Sequence, residues 1–430
     1  MLSSKVLLGI CTASIVTLCF CPESGLEIRV PKNVLKFVVG SALLYVAYRA
    51  FFSTSTTTTK SKFIYFSSRE KMRAQVAKEY KTDKMEMTSE HPCPKVVHPN
   101  DVLVRVRAAS INPIDQRIIA GHARPIFDKM RQQKQLPYGG AELPLVLGRD
   151  CSGVVEDIGR NVEKFRIGDE VFVGIGAEDS PGTFALKVLV KDYMVAKKPV
   201  AIDHTEAASI PYVCTTTWGA LVGRCGLGPI NTNGKRVLII AGTGGIGTFA
   251  IQLIKAWGGH VTTTCCKDGI DLVERLGADD VIDYTKGNFE DALTERPKFD
   301  VIFVTLGAEF IKPCQSALKR GGKLVTIVVP FIGNFNKYGM MLGMVVNAAL
   351  KLRWMVEDFL YDRKTMISFN QPNGGALEEV RKLIDDGMIH PVIHKTFAFE
   401  AANEAMEFVK RGHARGKTVI VMPNHDKNEG

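Results

Sequence analysis

The chain has 430 residues, too many for one hydrophobic core, so two domains and an extension are expected. Apolar residues make up 46% and charged residues 23%, which excludes a disordered chain and predicts a full core. The net charge of +10 does not point to nucleic acid, because residues 1–69 hold eight Lys/Arg against two Asp/Glu, residues 70–90 balance, and the remainder carries only +4. No RNA- or DNA-binding motif accompanies the charge. The ten cysteines include no C-x-x-C pairs, so neither a disulfide framework nor a cysteine-rich zinc module is expected, and the compartment is read as reducing.

In chain order, residues 1–69 read as a targeting or membrane-anchor leader. Residues 6–22 are uncharged and largely apolar, and Phe37 to Tyr48 form a second apolar run between Lys36 and Arg49. Twelve uncharged residues fall short of the ~20 that a spanning helix needs, although Lys36 and Arg49 could snorkel. STSTTTTKSKFIYFSSR, rich in hydroxyls and bases and free of acids, has transit-peptide composition. Three readings stand: a mitochondrial leader, cleaved or kept as an anchor; a signal anchor in another membrane; and an unstructured extension.

Residues 70–98 are polar and charged, a linker by composition. From Asp101, DVLVRVRAASIN alternates as a half-buried strand does, and short strands punctuated by Gly and Pro continue to about residue 200. The character then changes. KRVLIIAG, HVTTTCC, DDVIDY, FDVIFVTLG and KLVTIVVP read as strands. They alternate with helices at GIGTFAIQLIKAW, DLVERLG, NFEDALTER and FIKPCQSAL, which predicts a parallel sheet covered on both faces. Helix ALEEVRKLIDDG, strand HPVIHKTF, helix EAANEAMEFVKR and strand GKTVIVMP close the chain. The expected fold is α/β: a GroES-like β domain over 99–205, completed by about 370–423, plus a Rossmann doubly wound parallel sheet over 206–369.

The motif that carries chemistry is Gly242-Thr243-Gly244-Gly245-Ile246-Gly247, directly after a buried strand and opening a helix. Gly242 permits the tight turn, Gly244 lets backbone approach a pyrophosphate, and Gly247 lets helix pack on sheet. The helix N-terminus offers N–H groups and positive dipole to phosphates. At the tip of the second strand stand Cys265, Cys266 and Lys267, where an NAD site carries an acid, so NADPH is the expected cofactor. Metal-dependent dehydrogenases carry Gly-His-Glu where this chain has Gly148-Arg149-Asp150, and no cysteine stands near Asn112. With the ligands gone, no metal site is expected. Cys151 reads as a small buried residue.

ASINPIDQRIIAG, PLVLGRDCSGVV, AASIPYVCTTTWGAL, the glycine segment and RGHARGKTVI together resemble the quinone-oxidoreductase branch of the medium-chain dehydrogenase/reductase family. GADDVIDY with the terminal RGHARGKTVI is similar to its mitochondrial reticulon-4-interacting group. The resemblance spans about residues 85–423. It implies NADPH, a link to ubiquinone metabolism, and a mitochondrial location with a membrane or ubiquinone-biosynthesis partner. It also implies cofactor contacts by Thr243, Gly245 and Ile246 at the phosphates, Cys266, Lys267 and Tyr284 around the adenosine phosphate, and His413, Ala414 and Arg415 from the chain's end. Two departures stand out. Val304-Thr305-Leu306-Gly307-Ala308 replaces the family's D-N-x-G-G, and Arg117 stands where many quinone reductases place a tyrosine.

The expected activity is hydride transfer from NADPH to a quinone or enone, with Asn112 and Tyr212 as candidate hydrogen-bond donors in place of a metal. Two alternatives remain: an enoyl-thioester reductase, and a non-catalytic NADPH-bound partner protein in mitochondria.

Overall fold

The structure is a computed structural model describing residues 66–423, except 83, 122–123, 125–126, 128–142, 180, 329 and 413–414. The leader reading falls outside the described residues up to residue 65. The chain enters as β1 (Phe66–Ala77), β2 (Glu86–Pro94) and β3 (Asp101–Ile111), followed by α1 (Pro113–Ile119). Then come β4 (Leu145–Val146), β5 (Asp150–Ile158), β6 (Glu170–Gly174), β7 (Lys187–Lys191) and β8 (Val195–Lys197). Helices α2 (His204–Ala208) and α3 (Pro211–Thr217) lead to β9 (Arg236–Ile239), α4 (Gly245–Ala256) and β10 (His260–Cys265). Next are α5 (Ile270–Arg275), β11 (Asp280–Asp283), α6 (Phe289–Thr294), β12 (Phe299–Val304), α7 (Ile311–Ser316) and β13 (Leu318–Thr326). The long α8 (Pro330–Leu360), β14 (Lys364–Ile367), α9 (Gly374–Asp385), β15 (Ile393–Ala398), α10 (Ala402–Lys410) and β16 (Lys417–Val421) complete it.

The expected linker over 70–98 is a correction: these residues form most of the antiparallel β1–β2 hairpin, Val76 pairing with Glu86 and Met72 with His91. Its composition misleads because a few small or apolar residues are buried among a majority of charged and polar ones. Met72, between Lys71 and Arg73, is buried with Ala74, Val76 and Ala77, and they join a core with Val104, Val155 and Phe184. Residues 66–69, assigned to the leader by sequence, already belong to β1.

Six parallel strands run in the order β11-β10-β9-β12-β13-β14. Numbered from β9, that is 3-2-1-4-5-6, the doubly wound Rossmann order. Both faces are covered, which explains the unbroken apolar run in β9. Val237 and Ile239 face one core with Phe249, Leu253 and Leu377. Leu238 and Ile240 face the other with Leu293, Ile311 and Leu324. A second sheet runs β15-β16-β3-β5-β6-β8, with β7 paired to β3. The last strand of the chain thereby lies antiparallel to β3, Val419 opposite Ser110. Helix α9, by contrast, packs into the Rossmann core through Leu377, Val380 and Ile384. Among the described residues no helix is long and apolar enough to cross a membrane.

Candidate active site

The glycine turn leaves the C-terminal end of β9, at the point where strand order reverses between β9 and β12. Ala241 holds a positive φ of 62°, which sharpens the turn. A Cβ on Gly242 would lie 2.3 Å from Thr263 Oγ1, and one on Gly247 would lie 2.2 Å from the Ala241 carbonyl. Those two glycines are required by the fold itself. Gly244 differs: a Cβ there would meet only the Ala241 carbonyl, at 3.6 Å. The space beside it is open, and it lies at the N-terminus of α4, where amides point outward. That open cradle fits a dinucleotide pyrophosphate. Thr243 and Gly245 flank it, and Ile246 starts the helix core contacts.

The C-terminal segment closes over the turn. Gly416 N donates to the Thr243 carbonyl at 2.8 Å, and Gly244 and Gly416 form an isolated bridge. This places Arg415 and Lys417 beside the loop, 170 residues apart in sequence from it or nearly so. At the adenosine end, Cys266 and Lys267 follow the tip of β10 and Tyr284 follows the tip of β11. Tyr284 is half exposed and lies against Cys266; burial, then the neighbouring Cys266, push its hydroxyl's pKa up. Arg415 reaches Asp268 at 3.4 Å, and Asp283, which pairs with Cys265 across the sheet, is taken up by Thr285, so the two carboxylates at this tip are both engaged. The structure therefore brings Lys267, Tyr284 and Arg415 to the same edge. His413 and Ala414 lie outside the described residues.

At the junction with the second sheet lies a buried polar cluster that sequence reading reached only through Asn112 and Tyr212. Asp150 Oδ1 accepts from Ser110 Oγ at 2.6 Å and Asn112 Nδ2 at 3.0 Å; its Oδ2 accepts from Tyr212 N at 3.1 Å. Lys417 Nζ donates to Asn112 Oδ1 and, at 3.3 Å, to the Ile111 carbonyl, and stands 3.9 Å from Asp150 Oδ2. Its stem crosses the glycine loop, where a Cβ on Gly245 would lie 2.6 Å from Lys417 Cδ. Burial lowers the lysine's pKa and raises that of Asp150, and each charge opposes the shift of the other. Asn112 is thus committed on both sides of its amide, at 1% exposure. Its Nδ2 also donates to the Ser110 carbonyl at 3.4 Å, so both N–H groups are engaged and its predicted role as a donor to substrate has none free to rest on.

Arg149 fills the position of the missing histidine. Its guanidinium is buried and donates to the carbonyls of Asp179 at 2.6 Å and Gly176 at 3.2 Å. Nε stands 3.5 Å from Asp115 Oδ1. Asp115 also accepts from the amides of Asn112 and Gly148, both at 2.9 Å. Burial pushes its pKa up to about 6, against the pull of Arg149. Cys151, next along β5, is fully buried, and burial raises its thiol pKa far above neutrality, so it stays an inert thiol. Tyr212 opens α3 beside this cluster, half-buried. Burial, then Asp115, keep its hydroxyl protonated and able to donate. Ser152, His204 and Glu170 also line up, at 2.8 and 3.1 Å, yet Ser152 is fully buried and has no route to a substrate. Asp115 and Lys417 were the cluster residues that sequence reading missed, and it met Arg149 and Asp150 only as the replaced metal-ligand segment. The available signal was a lysine opening an otherwise apolar buried strand.

A GroES-like sheet, a 3-2-1-4-5-6 parallel sheet and a glycine turn between them define the medium-chain dehydrogenase/reductase architecture. Comparison with known proteins agrees. Residues 98–200 match the alcohol dehydrogenase GroES-like domain, and residues 276–420 match the zinc-binding dehydrogenase domain. The chain is 40% identical to "NAD(P)H oxidoreductase RTN4IP1, mitochondrial" of Danio rerio, over 81% of this chain and 90% of that protein. The Homo sapiens protein of the same name is also 40% identical, over 79% and 86%. Among solved structures, the quinone oxidoreductase from Coxiella burnetii superposes with a TM-score of 0.65 at 26% identity, covering 82% of this chain and all of that one. The chain belongs to the medium-chain dehydrogenase/reductase superfamily and, within it, to the RTN4IP1 family of NAD(P)H oxidoreductases.

Proposed function

We propose that the protein is a zinc-independent, NADPH-preferring reductase of quinones or related conjugated carbonyls, acting in mitochondria and linked to ubiquinone metabolism. The observation that carries this reading is Arg149. A buried guanidinium, held by three carbonyl or carboxylate partners, stands where a metal-dependent relative needs a histidine ligand. A fixed cation there opposes a second cation. NADPH supplies a hydride when bound. The chain's own residues hold and orient it: Thr243, Gly244 and Gly245 at the pyrophosphate, Lys267, Tyr284 and Arg415 at the adenosine phosphate. His413 and Ala414 belong to that set by family resemblance. Lys417 and Asn112 tie the glycine loop to the substrate-side sheet and so set the distance between cofactor and acceptor. Tyr212 is the proposed donor to an acceptor oxygen. A quinone needs little further acid, which fits a cluster whose other donors are already engaged.

The mitochondrial part rests on the transit-like leader composition and on the names of the relatives. The test is NADPH consumption by the full-length protein with a panel of quinones, enones and crotonyl thioesters. Quinone turnover that survives chelators, and falls in kcat more than it rises in KM for Tyr212→Phe, is expected. Turnover of thioesters alone would assign the enoyl-reductase reading. Tight NADPH binding with no turnover would assign the non-catalytic one.

A further inference from the structure

Strand β15 carries one residue more than the strand beside it. Ile393 pairs with Lys417 and Lys395 with Thr418, so two steps along β15 answer one step along β16, and His394 is the extra residue. Such a bulge takes a side chain out of the ladder's alternation and re-aims it. Here the imidazole is aimed at the chain's end: Arg415 N donates to His394 Nδ1 at 3.0 Å. Nδ1 therefore accepts, and the neutral ring carries its hydrogen on Nε2. Phe408 of α10 packs on the ring edge to face, with centroids 5.1 Å apart.

That bond is the first of three on successive residues. Gly416 N donates to the Thr243 carbonyl at 2.8 Å, and Lys417 N donates to the Val392 carbonyl at 2.8 Å. Gly416 has a φ of 102°, and a Cβ there would lie 2.2 Å from the Val392 carbonyl oxygen, so this knuckle requires glycine. The second and third amides are taken by backbone acceptors. The first is taken by a side chain, and it belongs to the residue whose guanidinium stands at the adenosine edge, 3.4 Å from Asp268. Both side chains of that ion pair are wet, at 46% and 75% exposure, so it holds the guanidinium only loosely. The bond to His394 fixes the backbone from which the Arg415 side chain starts.

Placement of this guanidinium matters only to a cofactor that carries the extra phosphate. NADH ends there in a bare ribose hydroxyl, whereas the phosphate of NADPH takes charge-assisted bonds from a guanidinium. A cation whose backbone is fixed beforehand loses less freedom when the phosphate arrives. The open cradle at Gly244 serves both cofactors alike, and the Gly416 bond that closes over it runs to Thr243 without passing through His394.

We infer that His394 is a positioning residue for cofactor choice: it touches neither cofactor nor acceptor, and it presets Arg415 to meet the adenosine phosphate, favouring NADPH over NADH. The inference rests on the reading of Arg415 as a contact to that phosphate and is independent of the hydride acceptor. The test is calorimetry of NADPH and of NADH on the full-length protein with no acceptor present. His394→Leu keeps an apolar side chain against Phe408 and removes the hydrogen-bond acceptor. It should weaken NADPH about fivefold, the worth of one hydrogen bond, and leave NADH unchanged. His394→Asn places an amide oxygen near the position of Nδ1 and should recover most of the loss. Deuterium exchange at the Arg415 amide should quicken in the leucine variant and slow again in the asparagine variant. Equal weakening of both cofactors would overturn the inference, because His394 would then be a general prop for the glycine turn. Arg415→Ala separates the inference from the reading beneath it. If Arg415→Ala weakens NADPH and His394→Leu does not, Arg415 keeps its role and His394 loses its own. If neither variant changes NADPH affinity, both fall.

Discussion

Lys417 carries a charge into a place that water does not reach. Its side chain is 7% exposed and that of Asp150 is fully buried. Removing the lysine leaves a buried carboxylate held by Ser110, Asn112 and the Tyr212 amide but without its cation. Lys417→Met should therefore cost about 3 kcal/mol of stability in urea unfolding, and adding Asp150→Asn should recover much of it. A double variant no more stable than the single one would show that the two charges do not answer each other. Lys267 acts through a different physics. It stands at the mouth of the adenosine site beside a tip whose acids are already engaged, Asp268 by Arg415 and Asp283 by Thr285. NADPH should bind more tightly than NADH by on the order of 1–3 kcal/mol, and Lys267→Ala should erode that margin from the NADPH side. Calorimetry giving equal affinities for the two cofactors would remove the case for a phosphate site.

At the scale of elements, the glycine turn separates fold from ligand. Gly242 and Gly247 are hemmed in by Thr263 and the Ala241 carbonyl, whereas Gly244 faces open space. Gly244→Val should leave the melting temperature nearly unchanged and abolish NADPH binding, because its side chain would stand in the pyrophosphate's place. Unchanged affinity would move the cofactor elsewhere. The β1–β2 hairpin makes a prediction of its own. His91 is buried in it, and burial, then Lys71, lower its pKa from 6.5 to about 4. Below pH 6.5 the unfolded chain takes up a proton that the folded chain refuses. The stability due to a neutral His91 is therefore present above pH 6.5 and lost as pH falls toward 4. Between pH 7 and pH 5 that loss should be about 2 kcal/mol, and His91→Leu should flatten the pH dependence of urea unfolding over this window. The hairpin itself was illegible by composition, since its buried residues are few, among them Met72, Ala74, Gln75 and His91, and charged or polar residues dominate the count. Helix α8 was illegible for another reason: its glycines and outward apolar stripe break the single inward face that marks an ordinary surface helix.

Across the whole molecule, the chain's end decides the active site. Strand β16 leaves the Rossmann half, pairs with β3, and in doing so lays Gly416 on the glycine turn and Lys417 on Asn112. The same architecture seats Arg149 at the metal position, so the purified protein should carry no stoichiometric zinc and keep its turnover in chelators. One zinc per chain by elemental analysis would reverse that reading. By itself, the sequence determined the parallel sheet, the glycine turn, the missing acid at the tip of β10 and the replaced metal ligand. Each of these is local, a matter of period, spacing or residue type within one element and its neighbours. Only the tertiary structure decided that Asn112 is spent on Lys417 and Asp150, that Arg415 meets Asp268, and that residues 70–98 hold most of a β-hairpin. Those outcomes depend on which groups are brought together from as far as 305 positions apart and then shut away from water, and burial is what turns an ordinary lysine, asparagine or histidine into a constrained one.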